Sequence, residues 1–182
     1  LACSDGLFFD RRQAEKRDCA SWEAAHRVLM NRAMEAAVFE NGSDAILSEG
    51  LAYDRCQVGV ITNIDPDRHT GRYYIETPEQ VYNVLRTQVD LVLPTGVAIL
   101  NAKEPMLVEM VPLCDGEVIF FALDPEMPAI SSHREQGKRA VIVRYGQIML
   151  ASGEGEIALA KLADIPLTEG GKSTQQIENV LA

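Results

Sequence analysis

Two short stretches carry residue types that hold cations and phosphates. The run Ala36–Glu40 (AAVFE) ends in a carboxylate, and Thr62–Gly71 (TNIDPDRHTG) gathers Asn63, Asp65, Asp67 and His69 directly behind the apolar run QVGVI. Hard cations such as Mg²⁺ take oxygen ligands, often shared with substrate phosphates, which makes Glu40 a candidate metal ligand. A solvated strand end or a helix partner accounts for the same carboxylate without any metal. The second cluster suits a metal or a positioned nucleotide, with Asn63 as a nucleotide contact and His69 as a ligand. An Asx-type turn at Asp65-Pro66 with an exposed histidine is the plainer alternative. The spacing Asp-x-Asp-x-His also fits a metal-dependent hydrolase, although such sites draw further ligands from elsewhere.

Other chemistry-bearing residues read as structural. GGKST (Gly170–Thr174) has the look of a phosphate loop, but Pro166 stands where the first glycine belongs and DIPLTE, not a buried strand, precedes it. Its amides are then not arranged to cradle a phosphate. His26 and His133 lie in helix-like polar surroundings and read as surface or packing residues, and Trp22 reads as core. Cys3, Cys19, Cys56 and Cys114 are irregularly spaced, without a CxxC pair, and read as reduced thiols rather than a zinc site or a disulfide framework.

The elements that must position these residues alternate in apolar period between two and about 3.6, the rhythm of a mostly parallel sheet flanked by helices. AAVFE and QVGVITNI read as buried parallel strands. TPEQVYNVLRTQVDLVL reads as a helix, with Thr77 as N-cap, Pro78 at the first position, Gln80 at the third, and Val81, Val84, Leu85, Val89 and Val92 on one face. GVAILNA, EPMLVEMVPLC and GEVIFFAL continue as strand, helix and strand. RAVIVRYGQIML reads as a hairpin turning at Tyr145-Gly146, the start of a small antiparallel annex. The expectation is one α/β domain over residues 1–182. Its parallel part reaches about residue 135 and its annex covers about 138–170. A helix opens at about 175 and stops too short to be stable without continuation. In open sheets of this kind the ligand crevice lies beyond the carboxyl ends of the strands, where both candidate stretches fall.

Composition narrows the partners. A formal charge of −10 over 182 residues repels phosphate backbones, which argues against nucleic acid. No apolar run approaches a membrane span of roughly 18 residues, and the first residues lack a basic segment followed by an apolar one. The simplest reading is a cytoplasmic protein with no membrane partner.

The stretches EGLAYDRCQVGVITNID, PDRHTGRYY, TPEQVYNVLRTQVD, AILNAKEP and LCDGEVIFFALDP, taken in order, resemble the cyanophycin synthetases. The resemblance is to their Mur-ligase-like, arginine-adding module rather than to their ATP-grasp module. It implies an ATP-dependent amide ligase that uses Mg²⁺ and has arginine and a poly-aspartate (cyanophycin) chain as partners, in a homo-oligomeric parent. In such ligases ATP phosphorylates a carboxylate, here a β-carboxyl of poly-aspartate, and the amine of arginine displaces phosphate through a tetrahedral intermediate. By resemblance Glu40 and His69 serve magnesium, and Asn179 matches an asparagine that reads adenine. The chain also departs from the pattern. Arg68 precedes His69 where the family carries Asp, Gln175-Gln176 replace a His-Asn pair, and Arg86 or Thr87 stands where a carbamylated lysine is usual. The GTNGKTT-type phosphate loop would precede Cys3, and a C-terminal closing domain would follow. The expectation is therefore a piece of a ligase that is inactive alone. A Mur ligase of cell-wall synthesis and a non-catalytic scaffold with this fold are the alternatives.

Overall fold

The computed structural model describes residues 1–65 and 71–182, which divide into two compact units. The first holds Leu1–Asp54 and the described residues up to Leu85, and the second holds Arg55–Asp65 and Arg86–Ala182.

The second unit is built on a six-stranded sheet of β4 (Cys56–Ile61), β5 (Val92–Asn101), β6 (Glu117–Ala122), β7 (Arg139–Arg144), β8 (Gln147–Ser152) and β9 (Gly155–Lys161), in that spatial order. β4 to β7 run parallel, and β7 to β9 pair antiparallel. The mostly parallel α/β fold expected from the apolar rhythm is present. The expected antiparallel annex is present as β7 to β9 and continues the same sheet. Consecutive residues of β6 serve opposite faces. Phe121 is fully buried in the cluster with Ile148, Leu162, Ile177 and Leu181, the last two from α6 (Thr174–Leu181). Phe120 meets the ring of His133, on α5 (Pro128–Glu135), at 4.6 Å between centroids. A strand covered on both faces has no polar side, hence the unbroken run VIFFA.

The hairpin turn lies where the sequence places it. Tyr145 and Gly146 take φ of 52° and 69°, the two positive values that a type I′ turn requires. The helix α3 (Pro78–Asp90) forms where expected but stops short of the expected run: Val92, placed on its apolar face by spacing, instead opens β5, where it pairs with Cys56 of β4. One half of the α3 capping box is formed: the Gln80 side-chain oxygen accepts the Thr77 amide at 3.0 Å. Glu79, in the first turn, has its carboxyl held below the ordinary range by its own backbone amide and the Thr77 hydroxyl.

Three expectations need correction. AAVFE is not a strand but a single parallel bridge, Ala2 to Phe39, because no partner runs far enough beside it. Its Val38 is 65% exposed. QVGVITNI yields β4, which pairs with β5 alone among the described strands, so only Gly59 and Ile61 on one face are buried while Val58 and Val60 are exposed. EPMLVEMVPLC breaks into α4 (Pro105–Val108) and a 3-10 turn, Val111–Leu113, whose interior Pro112 lacks the amide an α-helix needs.

The first unit is a three-stranded antiparallel sheet of β1 (Ala2–Cys3), β2 (Gly6–Phe9) and β3 (Arg12–Glu15), with α1 (Trp22–Leu29) and α2 (Ser43–Glu49). Its core is Ala2, Leu7, Cys19, Ala24 and Val28. Trp22 is not core, as its type suggests, but 40% exposed, with its ring stacked on His26 at 4.6 Å. The four cysteines are free, and burial pushes the Cys19 thiol up.

Candidate functional site

Glu40 belongs to the first unit, and the backbone brings it to the β1–β2 turn. Its amide donates to the Ala2 carbonyl at 2.9 Å. Its Oε2 accepts the Ser4 amide at 2.8 Å and the Ser4 hydroxyl at 2.9 Å. The side chain is exposed. A single exposed carboxylate is a donor of the kind Mg²⁺ takes, since that ion keeps several waters and is held through one or two carboxylates plus substrate phosphates. His69, the other expected ligand, lies outside the described residues. Among the described residues no group of three or more His, Cys, Asp or Glu side chains forms a metal cage. Beside the cluster, Arg72 stands over the Tyr73 ring at 5.2 Å and pairs with Asp44 at 3.6 Å.

The carboxyl ends of the parallel strands lie in the second unit, where a connected polar row crosses them. The Thr62 hydroxyl donates to Asn63 Oδ1 at 3.0 Å. The Thr62 carbonyl accepts Asn101 Nδ2 at 2.9 Å, and Asn101 Oδ1 accepts the Lys103 amide at 3.0 Å. Lys103 Nζ then meets Glu178 Oε1 at 3.2 Å. Asn101 is only 3% exposed, a buried amide with both ends engaged. Thus the carboxyl ends of β4 and β5 are tied to each other and to α6 by side chains, with Asn63 at one end of the row. Asn179, next to Glu178, is exposed and donates to Gln176 Oε1 at 3.4 Å.

Of the two candidates for the lysine position, Arg86 is engaged with Asp90 at 3.2 Å, one helical turn away. In GGKST, the amides of Gly171, Lys172 and Ser173 all donate to the Thr168 carbonyl at 3.0 to 3.2 Å. That stretch closes a turn on itself.

Asn101, Lys103 and Glu178 are the residues that reading the sequence for chemistry misses. The signal was present, since an asparagine ending the apolar run GVAIL sits at the carboxyl end of a strand, where such folds bind ligands.

The comparisons with known proteins agree with this architecture. Residues 20–159 match the Mur ligase middle domain. The chain is similar to the cyanophycin synthetases of Synechocystis sp. and Crocosphaera subtropica, each 31% identical over 98% of this chain and 20% of the relative. That of Trichormus variabilis is 28% identical over the same shares. The chain thus spans about a fifth of the length of the curated relatives it matches. Matched over most of its length, and folded as a parallel sheet with an antiparallel extension, the chain belongs to the Mur ligase middle domain family.

Proposed function

We propose that the chain carries metal- and nucleotide-facing residues of an ATP-dependent carboxylate–amine ligase of the cyanophycin synthetase kind. The observation that supports this most directly is the polar row at the carboxyl ends of β4 and β5, with buried Asn101 at its centre and Asn63 at its end. Bound Mg²⁺ and ATP supply the phosphoryl group and the charge neutralisation that turn a carboxylate into an acyl-phosphate. In this reading Glu40 and His69 hold the metal, while Asn63 and Asn179 orient the nucleotide. Asn101 fixes the ends of β4 and β5, so that Asn63 meets the nucleotide without reorganising. The carboxylate is a β-carboxyl of poly-aspartate and the amine is that of arginine, in a cytoplasmic, homo-oligomeric parent. A longer polypeptide supplies the phosphate loop, and the 182 residues are inactive alone.

The test is calorimetric titration of Mg²⁺–ATP into the 182-residue chain and into the full-length product of the same gene, each also as Glu40→Gln. Binding by the full-length protein, weakened about tenfold or more by Glu40→Gln, is the expected result, since a contact to a charged group contributes about 1.5–3 kcal/mol. Absence of binding by both proteins overturns the assignment and leaves a scaffold with this fold.

A further inference from the structure

We propose that Lys103 is a phosphate-anion contact and that Glu178 is the internal anion occupying it in the absence of ligand. The proposal rests on the ligase reading for the identity of the anion, but its geometry stands apart from it. Lys103 is the fourth residue, counted from Asn63, of the row across the sheet's carboxyl ends, where ligands of open α/β folds bind. Its backbone is held fast: its amide donates to Asn101 Oδ1 at 3.0 Å, and Asn101 is buried and anchored to the Thr62 carbonyl at 2.9 Å. The rest of the side chain is open, 62% exposed, and its ammonium meets Glu178 Oε1 at 3.2 Å. A cation with a rigid base and a free stem, at a ligand edge of an acidic chain, is attracted to whatever anion enters.

An exposed pair of this kind contributes little to folding, a median of about 0–1 kcal/mol, so exchanging the carboxylate for a phosphate oxygen costs little. Glu178 is also the neighbour of Asn179. Release of the pair therefore frees the α6 side chain next to the candidate nucleotide contact. In this arrangement Glu178 competes with ligand, and it is this sign that separates the proposal from a structural salt bridge.

The experiment titrates pyrophosphate into the ¹⁵N-labelled 182-residue chain and follows the amides of Lys103 and Glu178, with adenosine as a phosphate-free titrant. Wild type is expected to show saturable pyrophosphate shifts at both amides. Glu178→Gln should tighten binding by up to about fivefold, the value of a released surface pair. Lys103→Met should weaken it by about tenfold or more, and Lys103→Arg should restore most of it. No saturable shift at these amides, or equal weakening by Glu178→Gln and Lys103→Met, overturns the proposal. Adenosine shifts at Asn63 and Asn179 report the nucleotide reading separately. Pyrophosphate binding without them retains the Lys103 site and removes adenine recognition from the chain. Adenosine binding with pyrophosphate insensitive to Lys103 does the reverse.

Discussion

The two units solve the problem of making a core with different materials. In the first, the fully buried positions are largely small, Ala2, Cys19 and Ala24 beside Leu7 and Val28, and the longest strands have four residues. In the second, Phe121, Leu100 and Ile142 of a six-stranded sheet and Ile130 of α5 are buried completely. Buried apolar area sets the favourable term, at about 25 cal/mol per Å², so the second unit has more to hold it together per residue ordered. The difference teaches where each candidate residue gains its precision. Asn101 is immobilised by a sheet, whereas Glu40 is held through one bridge residue and two bonds to Ser4.

The largest effect expected is from Phe121→Ala, which empties the centre of the α6-facing core and should cost about 3–5 kcal/mol. Leu7→Ala in the first unit removes a smaller side chain from a shallower cluster and should cost about 2–3 kcal/mol. Urea unfolding read by hydrogen exchange, unit by unit, checks both. An equal loss in the two variants would break the comparison and show the first unit to be as firmly packed as the second.

Next comes Gly59→Ala. A Cβ there would lie 2.7 Å from the backbone carbonyl oxygen of Gln88 and 3.0 Å from the Val92 side chain, so either β4 or the end of α3 must shift. Overpacking of this kind costs about 1–3 kcal/mol, and a thermal melt should show it. If Gly59→Ala is silent, α3 is not seated firmly on β4 and the rigidity assigned to the second unit stops short of β4.

The same contrast governs what could be read from the residues. In the second unit the runs GVAIL, VIFFA and RAVIV are long enough that period and composition fix strands, and Tyr145-Gly146 marks its turn by type. AAVFE carries the same local signal but has only Ala2 to pair with, a tertiary fact that no local pattern contains. QVGVI was read correctly as a strand but not as half-exposed, because exposure depends on what lies beside it. The candidate site was legible as strand-end polar residues and as a family resemblance. The row through Asn101, Lys103 and Glu178 joins positions 75 residues apart between Lys103 and Glu178, a separation that residue spacing does not reveal.

Within the second unit, the ion-pair network of the antiparallel strands should be worth less than its packing. Glu156 receives Arg134 at 2.8 Å and Arg144 at 3.2 Å, with Arg134 and Glu156 side chains 15% and 20% exposed. Glu156→Gln leaves two guanidinium groups with one weakened acceptor, and a loss of about 1–2 kcal/mol in chemical denaturation is expected. A loss as large as that of Phe121→Ala would mean that charge, not packing, holds β9 to the sheet.

The smallest effects come from titration, and their signs are fixed. His133 is 4% exposed, and the Nε2-protonated ring donates to the Val118 carbonyl at 2.9 Å. Burial holds its pKa below the ordinary histidine value, with Lys138 adding to the depression and Glu117 opposing it. A depressed folded pKa means that the stabilisation is complete above the unfolded value, about 6.5, and is lost as pH falls through the folded one. Glu117 titrates in a lower window. Its carboxyl is held below the ordinary glutamate range by Arg139, whose guanidinium reaches it at 2.7 and 2.6 Å, so its contribution is lost only as pH falls below about 4.3. With both partners about 40% exposed, solvent screening limits that pair to at most about 1 kcal/mol. Stability measured from pH 8 to pH 3 should therefore fall in two steps. His133→Gln should remove the upper step and Glu117→Gln the lower one. Because Glu117 favours the charged imidazole, Glu117→Gln should also move the remaining upper step toward lower pH. An upper step unmoved by Glu117→Gln would show that Glu117 has no part in setting His133, and that the amino end of β6 is insulated from the helix packed against it.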